Sequence, residues 1–272
     1  MVTVTAIELR KGKLHRLLAR VLPLSLIAYG FACCDLGSAQ TAPTSEALTV
    51  DDPRPVAQAV QALASRYGYV ITYEDPRYAY EGDLADVTND VRRDLGRYAS
   101  GKAPKVLVPF AYTLTLSVPT ASTIDVQTMS AILQQLVQAQ SASNHGGHFN
   151  IERDGAIFHV IPTGARDRQG NWSQRPSILD VPISLPTEKR DEHATLAAIC
   201  GAVSAASNVK VEIGGGVGGL VQQYLLGADH ENARSVLTRA VTAFGPKISW
   251  VLLYGNQSTD DAYSLSLIPV GP

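Results

Sequence analysis

Between residues 54 and 162, segments with helical spacing of apolar residues alternate with segments in which apolar and polar residues alternate. Spacings of three and four predict one helix that begins near Pro55 and another after Ser122 or Asp125, since they place apolar side chains on one helical face. Alternation of apolar and polar residues predicts strands, the last two joined by the hairpin turn Asp154-Gly155. The two helical faces consist of Val56, Val60, Leu63, Ala64 and Tyr67, and of Met129, Ile132, Leu133, Leu136 and Val137.

Residues 182 to 272 repeat this order of elements. A short strand leads into a helix that Asp191 can cap, and a strand over Val209–Ile213 follows. A second amphipathic helix covers Asn232–Phe244. The repeat predicts an α+β fold of two small βαβ-βαβ modules in tandem. The final hairpin is predicted over Lys247–Tyr254 and Tyr263–Val270.

The predicted modules cover residues 54–162 and 182–272. The polar, proline-bearing segment 40–53 predicts a linker before the first module, and segment 163–181 predicts a linker between the two. The first module is longer because it contains an insertion over residues 78–104.

The insertion and the strand before it are rich in tyrosine and arginine, the residue types that dominate binding energy at protein interfaces. This composition predicts a partner-binding surface. The alternative is that the tyrosines only form the wall of a small core. The candidate partner-binding residues are Tyr73, Tyr78, Tyr80, Arg92, Arg93, Arg97 and Tyr98.

Residues 1–39 have the pattern of a signal peptide, with basic residues followed by a short apolar run. Small residues at Gly37-Ser38-Ala39 predict cleavage after Ala39, and hence a periplasmic or secreted protein. An uncleaved anchor and a lipid attached at Cys33 are alternatives, although Gly30-Phe31-Ala32 lacks the aliphatic residue that lipidation signals usually carry.

The bulk composition is that of a soluble globular protein. Residues 40–272 contain 18 basic and 23 acidic residues, a net charge of −5, which argues against a nucleic-acid-binding protein. No stretch after residue 40 is apolar for long enough to predict a transmembrane helix. Cys200 is the single cysteine of this part, so no internal disulfide is expected, and its apolar surroundings predict a buried thiol.

Three features suggest chemistry, and each has a simpler interpretation. The run Gly214–Gly219 contains G-x-G-x-x-G, but the residues after it are too few for the helix of a dinucleotide fold, so a loop is expected. His145, His148 and His159 could bind a metal, although histidines on a glycine-rich loop are more often solvated. Glu74-Asp75 should point to opposite faces of a strand rather than form a catalytic dyad.

The sequence contains none of the G-x-S-x-G, H-E-x-x-H or G-x-x-x-x-G-K-[ST] motifs. We therefore predict no catalytic residues, no metal site and no cofactor, and we expect a protein that is not an enzyme.

The order of elements resembles the secretin and TonB short N-terminal domain, a small βαβ-βαβ module. The resemblance rests on a helix that leads into a strand, at residues 59–73 and 194–213. It also rests on the strand, helix and hairpin that follow, at residues 113–161 and 233–270. It is a pattern of hydrophobicity rather than of fixed chemical residues. Residues 69–78 also resemble a group of exported bacterial proteins of unknown function, which implies no activity.

The resemblance implies a non-enzymatic protein-interaction or scaffolding role, with another envelope protein as the partner. The alternative is a periplasmic protein that binds a small ligand or a cell-wall fragment in a cleft between the modules. Trp172 and Tyr224 are the candidate residues of that cleft. The sequence leaves the oligomeric state open.

Overall fold

The first half of the chain forms ten helices and strands. The computed structural model describes residues 44–99, 101–215, 222–245, 247–255 and 262–271, and the predicted α+β class is confirmed. The elements of the first half are β1 (Ser45–Asp52), α1 (Pro55–Tyr67), β2 (Ile71–Glu74), β3 (Leu84–Asp86), α2 (Thr88–Val91), β4 (Leu107–Pro109), β5 (Tyr112–Pro119), α3 (Val126–Ser143), β6 (Gly147–Asp154) and β7 (Ile157–Arg166).

The second half contains two long helices and most of the remaining strands. It is preceded by β8 (Trp172–Gln174), a short strand that pairs with the end of β7. Its elements are β9 (Pro182–Arg190), α4 (Glu192–Ser207), β10 (Lys210–Gly215), β11 (Tyr224–Asn232), α5 (Ala233–Phe244), β12 (Ile248–Tyr254) and β13 (Ala262–Pro269).

A single mixed sheet runs through both halves in the order β10-β13-β12-β2-β7-β6, with β8 on β7. The halves meet where β12 pairs in parallel with β2, with Val251 opposite Tyr73 and Leu252 opposite Glu74. The Ser249 hydroxyl also donates a hydrogen bond of 2.6 Å to the carbonyl of Ile71. The two halves therefore share backbone pairing as well as side-chain contacts.

The long helices of the two halves cover opposite faces of this sheet. Trp250 and Leu252 of β12 pack in the hydrophobic cluster that contains α4 and α5. Val251, between them, packs in the cluster that contains α1 and α3. Successive side chains of a strand point to opposite faces, so each half contributes one helical layer.

Residues 40–53 were predicted as a linker, whereas the structure forms β1 over Ser45–Asp52. This strand pairs antiparallel with β5 along its whole length. Leu48 and Val50 turn toward the core while their neighbours are exposed. Two apolar residues are too few to reveal alternation in the sequence, and the strand is stabilised by β5, whose paired residues lie 60 to 74 positions away.

The predicted linker 163–181 is also ordered and packed in the structure. β7 continues to Arg166, β8 follows, and a short 3-10 helix forms at Ile178–Asp180. Ser177 and Leu179 are both buried. Arg168, Gln169 and Asn171 are exposed, whereas Ser177 forms buried hydrogen bonds with Glu74 and with the backbone of Leu179.

The ends of the long helices follow the local signals in the sequence. Asp125, Asp191 and Asn232 accept hydrogen bonds from the first-turn backbone of α3, α4 and α5. Gly68 ends α1 with a φ of 71°, in the left-handed region that glycine adopts without strain. Of the two predicted caps for α3, the structure selects Asp125 rather than Ser122.

Some predictions concern residues outside the described part of the chain. These are the signal peptide 1–39 with its cleavage after Ala39, lipid attachment at Cys33, and Gly216–Gly219 of the glycine run. Within the described residues, no helix combines the length and apolarity needed to cross a membrane.

Candidate functional site

The chemistry-bearing side chains concentrate at one end of the central sheet, where the two halves meet. β2, β7 and β12 run parallel, and β13 is antiparallel to β12. The carboxyl ends of the first three strands therefore lie beside the start of β13. We call this region the junction end.

Asp75, directly after β2, is buried in a hydrogen-bond network that spans both halves. Its carboxylate accepts bonds from Arg54 Nε at 2.6 Å and from the Tyr73 hydroxyl at 2.7 Å. It also accepts the backbone N–H of Tyr254 at 2.9 Å. Arg54 Nη2 in turn donates to the Tyr254 carbonyl at 2.6 Å, so a cation and a carboxylate hold the end of β12 against β2.

Glu74 points to the other side of β2 and makes a second network. Arg234 of α5 donates to its carboxylate through Nε at 2.5 Å and Nη2 at 3.2 Å. The Ser177 hydroxyl also donates to Glu74, and Arg234 Nη1 lies 2.7 Å from Asp180 Oδ1. Glu74 and Asp75 thus have separate partners, as strand alternation predicts, and do not form a dyad.

The protonation of this second network follows from burial and pairing. Burial raises the pKa of Glu74, while the bonds from Arg234 oppose that rise. Burial by itself would lower the pKa of Arg234, but Glu74 and Asp180 raise it above its ordinary value. Arg234 therefore keeps its charge, and the network is an ion pair that ties α5 to β2.

A cleft of about 280 Å³ opens at the junction end, next to these networks. Its wall comes from both halves of the chain: the segment after β2, the end of β7, the segment after β8, and the starts of β10 and β13. We call it the junction cleft. The residues that line it are Pro76, Arg77, Pro162, Gly164, Ala165, Arg175, Pro176, Ser177, Ile178, Val209 and Tyr263.

Two of the predicted partner-binding tyrosines belong to the interior. Tyr73 and Tyr78 are buried, and the Tyr78 ring lies 6.3 Å from the Tyr254 ring, centroid to centroid. Burial raises the pKa of both phenols well above the ordinary value. For these two tyrosines the structure supports the alternative to partner binding, because their side chains form part of the core where the halves meet.

The remaining predicted residues lie just before or within the segment that connects β3 to β4, two strands that pair antiparallel. We call residues 78–110 the arm. Arg92 lies over the Tyr98 ring at 5.6 Å, and Arg93 and Arg97 are exposed. The structure therefore places Arg92, Arg93, Arg97 and Tyr98 on one surface segment.

Tyr80 lies at the base of the arm and is linked to Trp172. Arg166 of β7 lies 5.5 Å from the centroid of the Tyr80 ring and 5.2 Å from that of Trp172. Arg166 also pairs with Asp83 at 3.3 Å. Trp172 stacks on His148 with centroids 3.9 Å apart. Tyr80 was predicted in the partner-binding surface and Trp172 in the ligand cleft, but both contact the same residue, Arg166.

Trp172 and Tyr224, the predicted ligand-cleft residues, are not brought together. Tyr224 packs edge-to-face on Phe244 at 4.8 Å, beside a groove between β11 and α5. Neither residue lines the junction cleft. Arg77, Arg175 and Tyr263 were not predicted, because their segments are brought together only by the pairing of β2 with β7 and β12, of β7 with β8, and of β12 with β13.

The three histidines considered as metal ligands have separate environments. The His145 ring contacts those of Phe110 and Tyr112, His148 stacks on Trp172, and the buried His159 bonds to Thr72. Within the described residues, no three His, Cys, Asp or Glu side chains form a group that could hold a metal.

Cys200 is buried in α4, as the sequence predicts, and burial raises its pKa to about 12. The thiol is therefore protonated at neutral pH and packs as a small apolar side chain.

Comparison with protein-family models, with curated proteins and with solved structures finds no match to this chain.

Proposed function

We propose that the chain is an exported, non-enzymatic scaffold that binds another envelope protein through the arm. One observation carries this proposal. Of the six large hydrophobic side chains that are exposed in the described residues, four lie on the arm and a fifth, Trp172, packs on Arg166 beside Tyr80. A concentration of exposed apolar side chains marks an interaction surface. The four on the arm are Val91, Tyr98, Leu107 and Phe110.

The arm contains five basic and five acidic residues, and all five basic ones lie in a single segment of it. Residues 92–105 contain five basic residues and one acidic residue, whereas residues 40–272 have a net charge of −5. A local basic segment on an acidic protein favours approach by an acidic surface. The expected partner thus combines negative charge with apolar side chains that pack on Phe110 and Tyr98.

The base of the arm is fixed, which lowers the entropy that binding would cost. Asp83 pairs with Arg166, and the Tyr80 ring lies against Gly170. Gly170 has a φ of 85°, and a Cβ there would lie 3.0 Å from the ring. Any larger residue would strain the backbone and displace Tyr80. The exposed apolar side chains are consequently carried on a segment that is anchored at its base.

The modular part of the proposal has support in the strand pairing. Setting the arm aside, each half has the order strand, helix, two strands, helix, two strands. The pairs β1–β5, β2–β7 and β6–β7 correspond to β9–β11, β10–β13 and β12–β13, with the same relative directions. Two modules like the secretin and TonB short domain account for this correspondence. The basic and apolar start of the sequence supports export.

The non-enzymatic part rests on how the buried carboxylates are used. Glu74 and Asp75 both point into closed ion pairs with arginine. Each carboxylate accepts bonds from a guanidinium and a hydroxyl, so it is oriented toward those donors rather than toward a substrate. These groups stabilise the junction between the halves.

The test is site-specific photo-crosslinking of the full chain in the cells that produce it. We expect a photoreactive residue at Phe110 or Tyr98 to capture one envelope protein, because both side chains are exposed on the arm. The triple change Tyr98→Ser, Leu107→Ser, Phe110→Ser should reduce recovery of that protein about tenfold or more, since anchor side chains dominate binding energy.

Leu225 supplies the matched control. It is 66% exposed, more than any of the arm side chains named here, but lies on β11 in the second half. A photoreactive residue at position 225 should not capture the partner, and the change Leu225→Ser should not reduce recovery of the partner. Equal capture from position 225, or full recovery of the partner by the triple variant, would contradict the proposal.

A further inference from the structure

The strand β6 forms one edge of the central sheet. It has eight residues and, among the strands that the structure describes, it pairs only with β7. An edge strand presents backbone N–H and C=O groups without a partner in the sheet, so another strand can pair with it. Proline and β-bulges protect many edges, but β6 contains no proline, and its one register shift lies between His148 and Phe149. The edge is therefore regular from Phe149 to its end.

The hairpin turn determines which backbone groups of β6 point outward. Asp154 pairs with Ile157 across a turn of two residues that begins at Gly155, where φ is 57°. In such a hairpin the two flanking residues exchange both hydrogen bonds, and bonded and non-bonded residues then alternate along the strand. Every second residue counted back from Asp154 thus bonds to β7, and the residues between them point their backbone groups away. The outward-pointing residues are Phe149, Ile151 and Arg153.

The sequence of β6 is complementary to itself. When two copies pair antiparallel about a two-fold axis at Asn150, Phe149 lies opposite the partner's Ile151, and Glu152 lies opposite the partner's His148. Opposite residues share one face of an antiparallel pair, so apolar side chains meet on the helix-covered face and polar side chains on the other. The outward backbone groups of Phe149 and Ile151 then form the hydrogen bonds between the copies.

The helix that packs on β6 has a surface suited to the same contact. α3 contains no Asp, Glu, Lys or Arg among its 18 residues. An uncharged face can be buried against a second helix without the cost of removing ions from water. Glutamine amides both donate and accept hydrogen bonds, so they can bond to one another across a two-fold axis. The exposed residues of α3 are Gln127, Ala131, Gln134, Gln135, Gln138, Ser141 and Ala142.

We propose that this edge binds a second copy of the chain, so that two molecules form a symmetric dimer through β6 and α3. The two central sheets join into one continuous sheet, and the two α3 helices lie side by side on the same face of it. A second copy is favoured over an unrelated strand because β6 is complementary to its own sequence, and such a contact closes after two copies. The interface lies outside the arm, so dimerisation and binding of the envelope partner use distinct surfaces.

Sedimentation velocity of the purified full chain over a range of micromolar concentrations tests the dimer. We expect an equilibrium between monomer and dimer. Asn150→Lys should raise the dimer dissociation constant about tenfold or more, because it places two like charges opposite each other at the axis. Asn150→Asp should have the same effect for the same reason. Asn150 is exposed, so the fold should be retained, which thermal unfolding of each variant checks.

An equimolar mixture of the two Asn150 variants tests the position of the axis. The charges at position 150 are then opposite, so dimers that contain one copy of each variant should form again, whereas a damaged fold would not be restored by mixing. Gln174→Lys and Gln174→Asp are the matched controls. Gln174 is an exposed amide on β8, which lies on the other side of β7 from β6. Both controls should dimerise like the parent chain.

Several results would overturn the proposal. A chain that stays monomeric at all these concentrations is one, and a dimer that neither Asn150 variant weakens is another. A mixture that stays monomeric, or an equal loss in the Gln174 variants, would place the contact elsewhere. The triple arm variant should dimerise like the parent, so loss of the envelope partner and loss of the dimer are distinguishable.

Discussion

Replacing Arg234 by alanine should lower the free energy of unfolding by about 3–5 kcal/mol, the usual cost of breaking a buried ion pair. Glu74 would remain fully buried next to Asp180 without the cation that bonds to both. Denaturation in urea, followed by circular dichroism, gives the difference between the variant and the parent chain.

Arg239, on the same helix, is the matched control. It also pairs with a glutamate, Glu231, but both side chains are substantially exposed. Exposed pairs contribute about 0–1 kcal/mol, so Arg239→Ala should unfold almost like the parent. A loss in Arg234→Ala no larger than that in Arg239→Ala would contradict the assignment of Arg234 as the residue that holds the halves together.

The double variant Glu74→Gln, Arg234→Met separates the pair from the packing around it. Removing both charges leaves no buried ion without a partner, so much of the loss should be recovered. The loss in Arg234→Ala should also shrink at low pH, because burial raises the pKa of Glu74 and a protonated carboxyl is less costly to bury. A loss that does not depend on pH would count against this explanation.

Acidification should destabilise the chain through His159, by roughly 3 kcal/mol in total. Burial, with a smaller contribution from the charge of Arg234, lowers the pKa of His159 from 6.5 to about 4. Between these two values the unfolded chain binds a proton that the folded chain does not. Stability is therefore lost as the pH falls from about 6.5 to about 4, and the loss stops below that range.

The measurement is the free energy of unfolding at pH 7 and at pH 4.5 for the parent and for His159→Gln. The difference between the two pH values should be smaller in the variant by roughly 2–3 kcal/mol, since the titrating group is gone. His193→Gln is the control, because His193 is exposed on the first turn of α4. An equal difference in the parent and in His159→Gln would show that His159 does not titrate in this way.

The local elements of the fold were predictable because their signals are local. Three kinds of signal involve residues within one or two helical turns of each other. They are the apolar face of α1, the left-handed glycine that ends α1, and the aspartate caps of α3 and α4. The hairpin at Asp154-Gly155 likewise depends on adjacent residues. The two predicted linkers were wrong as unstructured segments, because β1 and β8 are stabilised by distant partners rather than by their own composition.

The candidate site was predicted only in part, for the same reason. A tyrosine- and arginine-rich segment is visible in the composition, and Arg92, Arg93, Arg97 and Tyr98 do lie together on the surface of the arm. Whether a given tyrosine faces solvent or core is decided by packing, and Tyr78 turned inward against Tyr254.

By itself, the sequence determined the class of the fold, the order of its four long helices and the presence of an extra segment in the first half. Tertiary structure decided that the halves share one sheet, that Glu74 and Asp75 each form a buried ion pair at its junction, and that a cleft opens beside them. The physical reason is distance along the chain. The spacing of apolar residues gives information about residues that are close in sequence. The bond between Glu74 and Arg234 joins residues 160 positions apart, and only the folded sheet brings them together.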